Sequence, residues 1–195
     1  MSLLFLHALS RALPRDVLED IAEGMKKGTF PSACEGLSDA VLYRFRSMTA
    51  GEIALLPEVS EGLENLFAKY SMECSDFSEL VGAVKSKRYT MARLKRIVMC
   101  GLLGITRELQ DSAFSDDEAL YARVLGVRAD SQELLKFLCE KASIPVIIKA
   151  SDREKLSEMG RKTERISAFA HSVHALGRPY EKPAAADSSY RLIVR

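Results

Sequence analysis

The sequence predicts a mainly α fold, a helical bundle with a small C-terminal βαβ-type element. Apolar residues recur at helical spacing through most of the first 115 residues, most regularly in the segment that begins at Thr90. The last third instead contains two β-branched runs, at 121–127 and 144–149, with a helical segment between them. A strand, a helix and a strand within about 30 residues are typical of a βαβ unit.

This change of pattern predicts that the 195-residue chain consists of a domain and a smaller appendage. Residues 1–115 are expected to form a helical domain, and residues 116–195 a smaller α/β appendage. The Pro- and Ala-rich segment 178–189 predicts a loose tail, and the run at 190–195 is compatible with an edge strand.

Two helix starts are marked by capping residues. Thr49-Ala-Gly-Glu52 has the S/T-x-x-E form of a capping box, in which the side chains at both ends bond to backbone N–H groups. Thr90 precedes the longest apolar-periodic segment and is expected to accept a hydrogen bond from the first turn of that helix.

Composition excludes several classes of protein. No apolar run approaches the roughly 18 residues that a membrane span needs. The four cysteines form no C-x-x-C pair and only three histidines are present, so no metal site is expected, and free thiols favour a reducing cytoplasm. The sequence contains no phosphate-binding glycine loop and no recognisable set of catalytic residues, which argues against a complete enzyme.

Charge is distributed unevenly although the net charge is only +1. No acidic residue occurs from Leu80 to Arg107, and this stretch contains seven cations within 85–107. Pairing of opposite charges along the same helix is therefore unavailable there. A helix N-terminus with free N–H groups and several cations is a natural site for phosphate.

The candidate RNA-binding residues lie in this basic stretch, in the loop that enters the helix and in the first turns of the helix. They are Lys85, Lys87, Arg88, Tyr89, Arg93, Lys95 and Arg96. Tyr89 has two interpretations, stacking on a base or packing in the core. The cations also have a second interpretation, a solvated face paired with neighbouring acidic helices, and charge alone does not separate RNA from an acidic protein partner.

Three segments together resemble the bacterial tRNA(Met) cytidine acetate ligases. They are E-G-L-E-N within 59–65, K-x-K-R-Y-T-x-x-R-x-x-R at 85–96, and Y-A-R-V-L-G at 121–126. The resemblance extends from about Pro14 to Pro183 and is to the C-terminal half of that family.

In that family an N-terminal nucleotidyltransferase-like domain with an H-x-G-H motif activates acetate with ATP as acetyl-adenylate. The acetyl group then passes to N4 of the wobble cytidine in elongator tRNA(Met), and the helical part is expected to help hold the tRNA. Because this sequence contains no H-x-G-H, the resemblance implies a truncated chain without the catalytic domain, inactive alone, with ATP used only by the full-length protein.

The functional prediction is a cytoplasmic, tRNA-binding C-terminal part of such a ligase, with elongator tRNA(Met) as partner and with no metal or cofactor of its own. The missing N-terminal catalytic domain is a second expected partner. The alternative is a non-catalytic helical module that docks its basic face on an acidic partner or on a separate catalytic domain. Arg44 and Glu61 have either structural or substrate-binding roles, with structure favoured.

Overall fold

The computed structural model describes residues 9–27, 34–178 and 192–194. The helices are α1 Arg15–Lys26, α2 Ser38–Ser47, α3 Ala50–Ala54, α4 Leu63–Glu73, α5 Phe77–Val84, α6 Met91–Leu103, α7 Arg107–Ser115, α8 Gln132–Lys141 and α9 Glu158–Leu176. The strands are β1 Ala122–Arg123, β2 Gly126–Val127, β3 Val146–Ile147 and β4 Ile193–Val194.

Both predicted helix starts are confirmed. The Thr49 hydroxyl accepts the N–H of Glu52 at 3.2 Å, and the Glu52 carboxylate accepts the N–H of Thr49 at 2.7 Å, which completes the capping box. The Thr90 hydroxyl accepts the N–H of Arg93 at 3.2 Å. This bond fixes the first turn of α6 and the point where the basic loop 85–90 enters the helix.

The core lies among α2, α4, α5 and α6, whose apolar faces meet. The rings of Phe45 and Phe67 are fully buried, with centroids 5.3 Å apart and planes tilted by 41°. Leu94 and Ile97 of α6 are completely inaccessible to solvent. The helical spacing that predicted α6 therefore corresponds to its buried face.

Gly101 lets α2 approach α6 closely. A Cβ atom at this position would lie 2.7 Å from Cζ of Phe45, whose ring is 1% exposed and packed on all sides. No side chain fits there unless the ring moves.

Within the residues that the structure describes, the strands form two separate sheets of two strands each. β1 pairs in parallel with β3, with Ala122 opposite Val146, and β2 pairs in parallel with β4, with Gly126 opposite Ile193. Val146 and Ile147 are buried, so β3 anchors the first sheet to the rest of the chain.

The predicted fold class, a mainly α bundle with one small βαβ-type element, is wrong. The chain has an α/β fold in which the run at 121–127 divides into two strands that pair with different partners. Val124 donates its N–H to the Ile147 carbonyl at 3.0 Å, and beyond it the chain turns toward β4. Alternation of apolar and polar residues predicts that a segment forms a strand, but it does not predict that neighbouring parts of the segment pair with different strands.

The predicted division between residues 115 and 116 stays a prediction, and helix α9 contacts α6 and α7 across it. Most of the predicted loose tail, residues 179–189, lies outside the described residues. Among the residues that are described, no helix is long and apolar enough to cross a membrane.

Two glycine substitutions test the packing of α2 on α6. Gly82→Ala in α5 is expected to raise the free energy of unfolding by up to about 1 kcal/mol, because a Cβ there meets no atom within 4 Å. Gly101→Ala is expected to lower the free energy of unfolding by about 1 kcal/mol or more, because overpacking against Phe45 outweighs the gain in helix propensity. Urea denaturation measures both, and equal effects would contradict the close contact.

A candidate nucleic-acid interface

The predicted basic residues lie on the loop 85–90 and on the first turns of α6. They divide into two groups by what their side chains contact. The lysines point into solvent, whereas two arginines of α6 bind the loop that joins α3 to α4. This joining loop, residues 58–62, is called the left-handed loop below because of its backbone conformation.

Lys85, Lys87 and Lys95 are exposed, and within the described ranges none of them forms an ion pair. Nζ of Lys85 donates to the carbonyl of its neighbour Ser86 at 2.7 Å, and Nζ of Lys95 lies 6.0 Å from the centroid of the Phe77 ring. Their positive charge is therefore available to an external anion.

Arg88 belongs with the lysines. One guanidinium nitrogen lies 3.9 Å from the carboxylate of Glu61, and the side chain is 78% exposed. An ion pair at this distance and exposure contributes little to stability. The guanidinium can therefore leave Glu61 for a phosphate at small cost.

Arg93 and Arg96 bind the left-handed loop, and the Arg96 side chain stays 58% exposed while it does so. Arg93 donates through Nε and Nη2 to the Glu58 carbonyl at 3.1 and 2.6 Å, and through Nη2 to the Ser60 hydroxyl at 2.8 Å. Arg96 donates two parallel hydrogen bonds, each 2.7 Å long, to the Glu58 carboxylate. A bidentate pair of this kind fixes the orientation of both groups.

Three of the five residues of the left-handed loop have a positive φ angle. Glu58 and Glu61 have φ angles of 60° and 57°, and Gly62 has a φ angle of 85°. A non-glycine residue in this region is disfavoured by roughly 1–2 kcal/mol. The hydrogen bonds from α6 offset this cost and keep the loop in one conformation.

Tyr89 packs in the core, with only 5% of its surface exposed. Its hydroxyl lies 3.4 Å from the Glu61 carbonyl and 3.3 Å from the Glu61 carboxylate, and the Arg93 guanidinium lies over its ring at 5.1 Å from the centroid. In this structure the ring is therefore covered on the face that a base would need.

Arginines outside the predicted set also bond to backbone carbonyls, in this loop and elsewhere in the bundle. Arg107 donates to the Val59 carbonyl at 2.8 Å and thereby adds a third guanidinium to the left-handed loop. Arg44 donates to the Gly101 carbonyl at 3.1 Å, and Arg46 bonds to two carbonyls at the end of α4. The sequence signal for the loop was the E-G-L-E-N segment itself, which occurs beside the basic block in the same resemblance.

Other chemistry has little support here. The three histidines, His7, His171 and His174, do not occur in an H-x-G-H tetrapeptide. Across the described ranges no group of three or more potential metal ligands comes together. All four cysteines are free thiols, and Cys139 is exposed.

The pair of Glu58 and Arg96 makes a pH-dependent contribution to stability. The hydrogen bonds from Arg96 hold the pKa of Glu58 below its ordinary value, so the contribution is complete above pH 4.5 and is lost as the pH falls through the lowered pKa. Glu58→Gln is expected to lower the free energy of unfolding by about 1 kcal/mol at pH 7 and by less at pH 3. Denaturant titrations at both pH values measure this, with Glu140→Gln on α8 as control. A loss that is the same at both pH values would contradict the assignment.

Comparison with known proteins identifies the family. The family model of the HIGH nucleotidyl transferases matches residues 3–187. A tRNA(Met) cytidine acetate ligase of Acetivibrio thermocellus is 33% identical over 144 residues, which are 74% of this chain and 35% of that protein. The ligase of Thermoanaerobacter pseudethanolicus is 32% identical over 190 residues, 96% of this chain and 45% of that protein.

A solved structure confirms the fold. The crystal structure of Thermotoga maritima TmcAL bound with alpha-thio ATP matches with a TM-score of 0.85 at 20% sequence identity. The match covers 100% of this chain and 52% of that chain. The chain thus spans about half, or less, of the length of the relatives that it matches.

These matches correct the functional prediction. The prediction of a tRNA-binding C-terminal half without a nucleotidyltransferase domain is wrong. The nucleotidyltransferase family model covers this chain almost throughout. The alternative, a non-catalytic module that docks on a separate catalytic domain, is wrong for the same reason. The lack of an H-x-G-H motif does not place the chain outside the family, because the family model extends over residues 3–187. The chain belongs to the family of the HIGH nucleotidyl transferases.

Proposed function

We propose that this chain works in the acetylation of a tRNA cytidine, the reaction for which its relatives are named, and that it contacts the tRNA directly. The support is its membership of the family and its similarity to several tRNA(Met) cytidine acetate ligases over most of its length. Elongator tRNA(Met) is the proposed partner. The cytoplasm is the proposed location, since free thiols persist there.

One observation carries the RNA contact. Exposed lysines lie near the N-terminus of α6 and form no ion pair within the described residues, and a bonded network holds that helix and the adjoining loop in place. Phosphate binding to a fixed surface requires little ordering of the protein, so more of the electrostatic attraction is available as affinity.

The predicted residues take two roles in this proposal. Lys85, Lys87, Arg88 and Lys95 contact phosphates, because their charged groups are exposed and weakly engaged. Arg93, Arg96 and Tyr89 are positioning residues that hold the left-handed loop beside them. No residue is assigned to the activation of acetate with ATP, because the sequence contains no H-x-G-H.

Selective tRNA binding is the first expected outcome. Fluorescence anisotropy with labelled elongator tRNA(Met) is expected to show binding that weakens as salt rises, because counterions are released when lysines neutralise phosphates. An unrelated tRNA of the same length is expected to bind more weakly. No binding at low salt, or equal binding of both tRNAs, would contradict the proposal.

The slope of log affinity against log salt tests whether the exposed lysines contact phosphates. Lys87→Gln combined with Lys95→Gln is expected to reduce the slope of log affinity against log salt by about 1.5, at 0.7 to 0.9 for each lost contact. The matched control removes the same charge from α8, with Lys136→Gln and Lys141→Gln, and is expected to leave the slope unchanged. If both double variants behave alike, the surface around α6 is not the contact.

A further inference from the structure

An apolar groove at the opposite end of α6 from the basic loop is bounded by α2, α6 and α9. Its volume is about 500 Å³, and Leu102 and Leu103 of α6 and Val173 of α9 line it. This volume lies within the range of pockets that hold small organic ligands.

Two aromatic side chains on the walls of the groove are exposed to solvent. Tyr43 of α2 is 75% exposed and Phe169 of α9 is 50% exposed. Phe is normally among the most buried side chains, and Tyr is intermediate, because an aromatic ring carries so much apolar area. Two exposed rings on different helices beside one groove indicate a binding surface.

The charge at the groove indicates the chemistry of its occupant. Within the described part of the chain, the lining carries one charged side chain, Arg44, whose Nε is held by the Gly101 carbonyl at 3.1 Å. Arg165 lies one turn before Phe169 on the same side of α9 and is exposed. The exposed rings match a flat apolar group, and the guanidinium groups beside them match an anion attached to that group.

We propose that this groove binds an unpaired nucleobase of the tRNA, stacked on Tyr43 and Phe169, with the adjoining phosphate near Arg44 and Arg165. The inference rests on the proposed function, which supplies the RNA. Unpaired bases stack on exposed aromatic side chains and on guanidinium planes in this manner. Helix α6 is about 20 Å long, so one RNA strand or loop reaches both the lysines and the groove.

The test compares aromatic and lysine variants of the whole chain with labelled elongator tRNA(Met). Tyr43→Ala and Phe169→Ala are each expected to weaken binding about tenfold without changing the dependence on salt, because stacking involves no counterions. Tyr43→Phe, which keeps the ring, is expected to bind as the unchanged chain does. Thermal unfolding checks that each variant is folded.

Three outcomes overturn the inference. If the aromatic variants bind as well as the unchanged chain while the lysine variants bind less, the groove is not used although the proposed function stands. If the unchanged chain binds no tRNA, the proposed function fails and the groove proposal fails with it. If Tyr43→Ala instead changes the oligomeric state in sedimentation, the groove is a protein interface.

Discussion

The left-handed loop between α3 and α4 has a backbone that its own residues do not favour, and three arginines from α6 and α7 hold it. Arg93 and Arg107 bond to loop carbonyls, and Arg96 holds the Glu58 carboxylate. Without these donors, the carbonyls and the positive φ angles of Glu58 and Glu61 would be uncompensated. The start of α4, the position of Tyr89 and the path of the basic loop all depend on this network.

The two kinds of cation are suited to their different tasks. The guanidinium of arginine is a planar fork of donors, which matches a carboxylate or a pair of backbone and hydroxyl oxygens, as at Glu58 and Ser60. The ammonium of lysine is a compact, hydrated charge on a flexible stem, suited to phosphates at varying positions. The structure has arginine at the bonded positions of α6 and lysine at exposed positions such as Lys87 and Lys95.

Local sequence patterns predicted the features that depend on residues close together in the sequence. The caps at Thr49 and Thr90 and the buried face of α6 follow from contacts within one or two turns, and the structure contains them. The acidic partner of Arg96 is Glu58, 38 residues earlier, which no rule based on helix spacing detects. The absence of acids from 80–107 therefore made the whole block look available for phosphate.

The fold class and the family boundary were mispredicted for related reasons. β2 pairs with β4, a segment more than sixty residues away in the sequence, and pairing over that distance leaves no periodic signal. The groove at Tyr43 and Phe169 likewise joins side chains from helices far apart in the chain. The resemblance identified the relatives correctly, but the missing H-x-G-H motif placed the chain outside a family whose model covers residues 3–187.

The most direct test that the exposed lysines near α6 contact the tRNA is a chemical footprint of the bound chain. The chain is treated with a lysine-acetylating reagent with and without elongator tRNA(Met), and mass spectrometry measures the modification of each lysine. We expect tRNA to protect Lys85, Lys87 and Lys95 and to leave Lys136 and Lys141 on α8 reactive, since all five are exposed in the free chain. Equal reactivity of Lys85, Lys87 and Lys95 with and without bound tRNA would contradict the account.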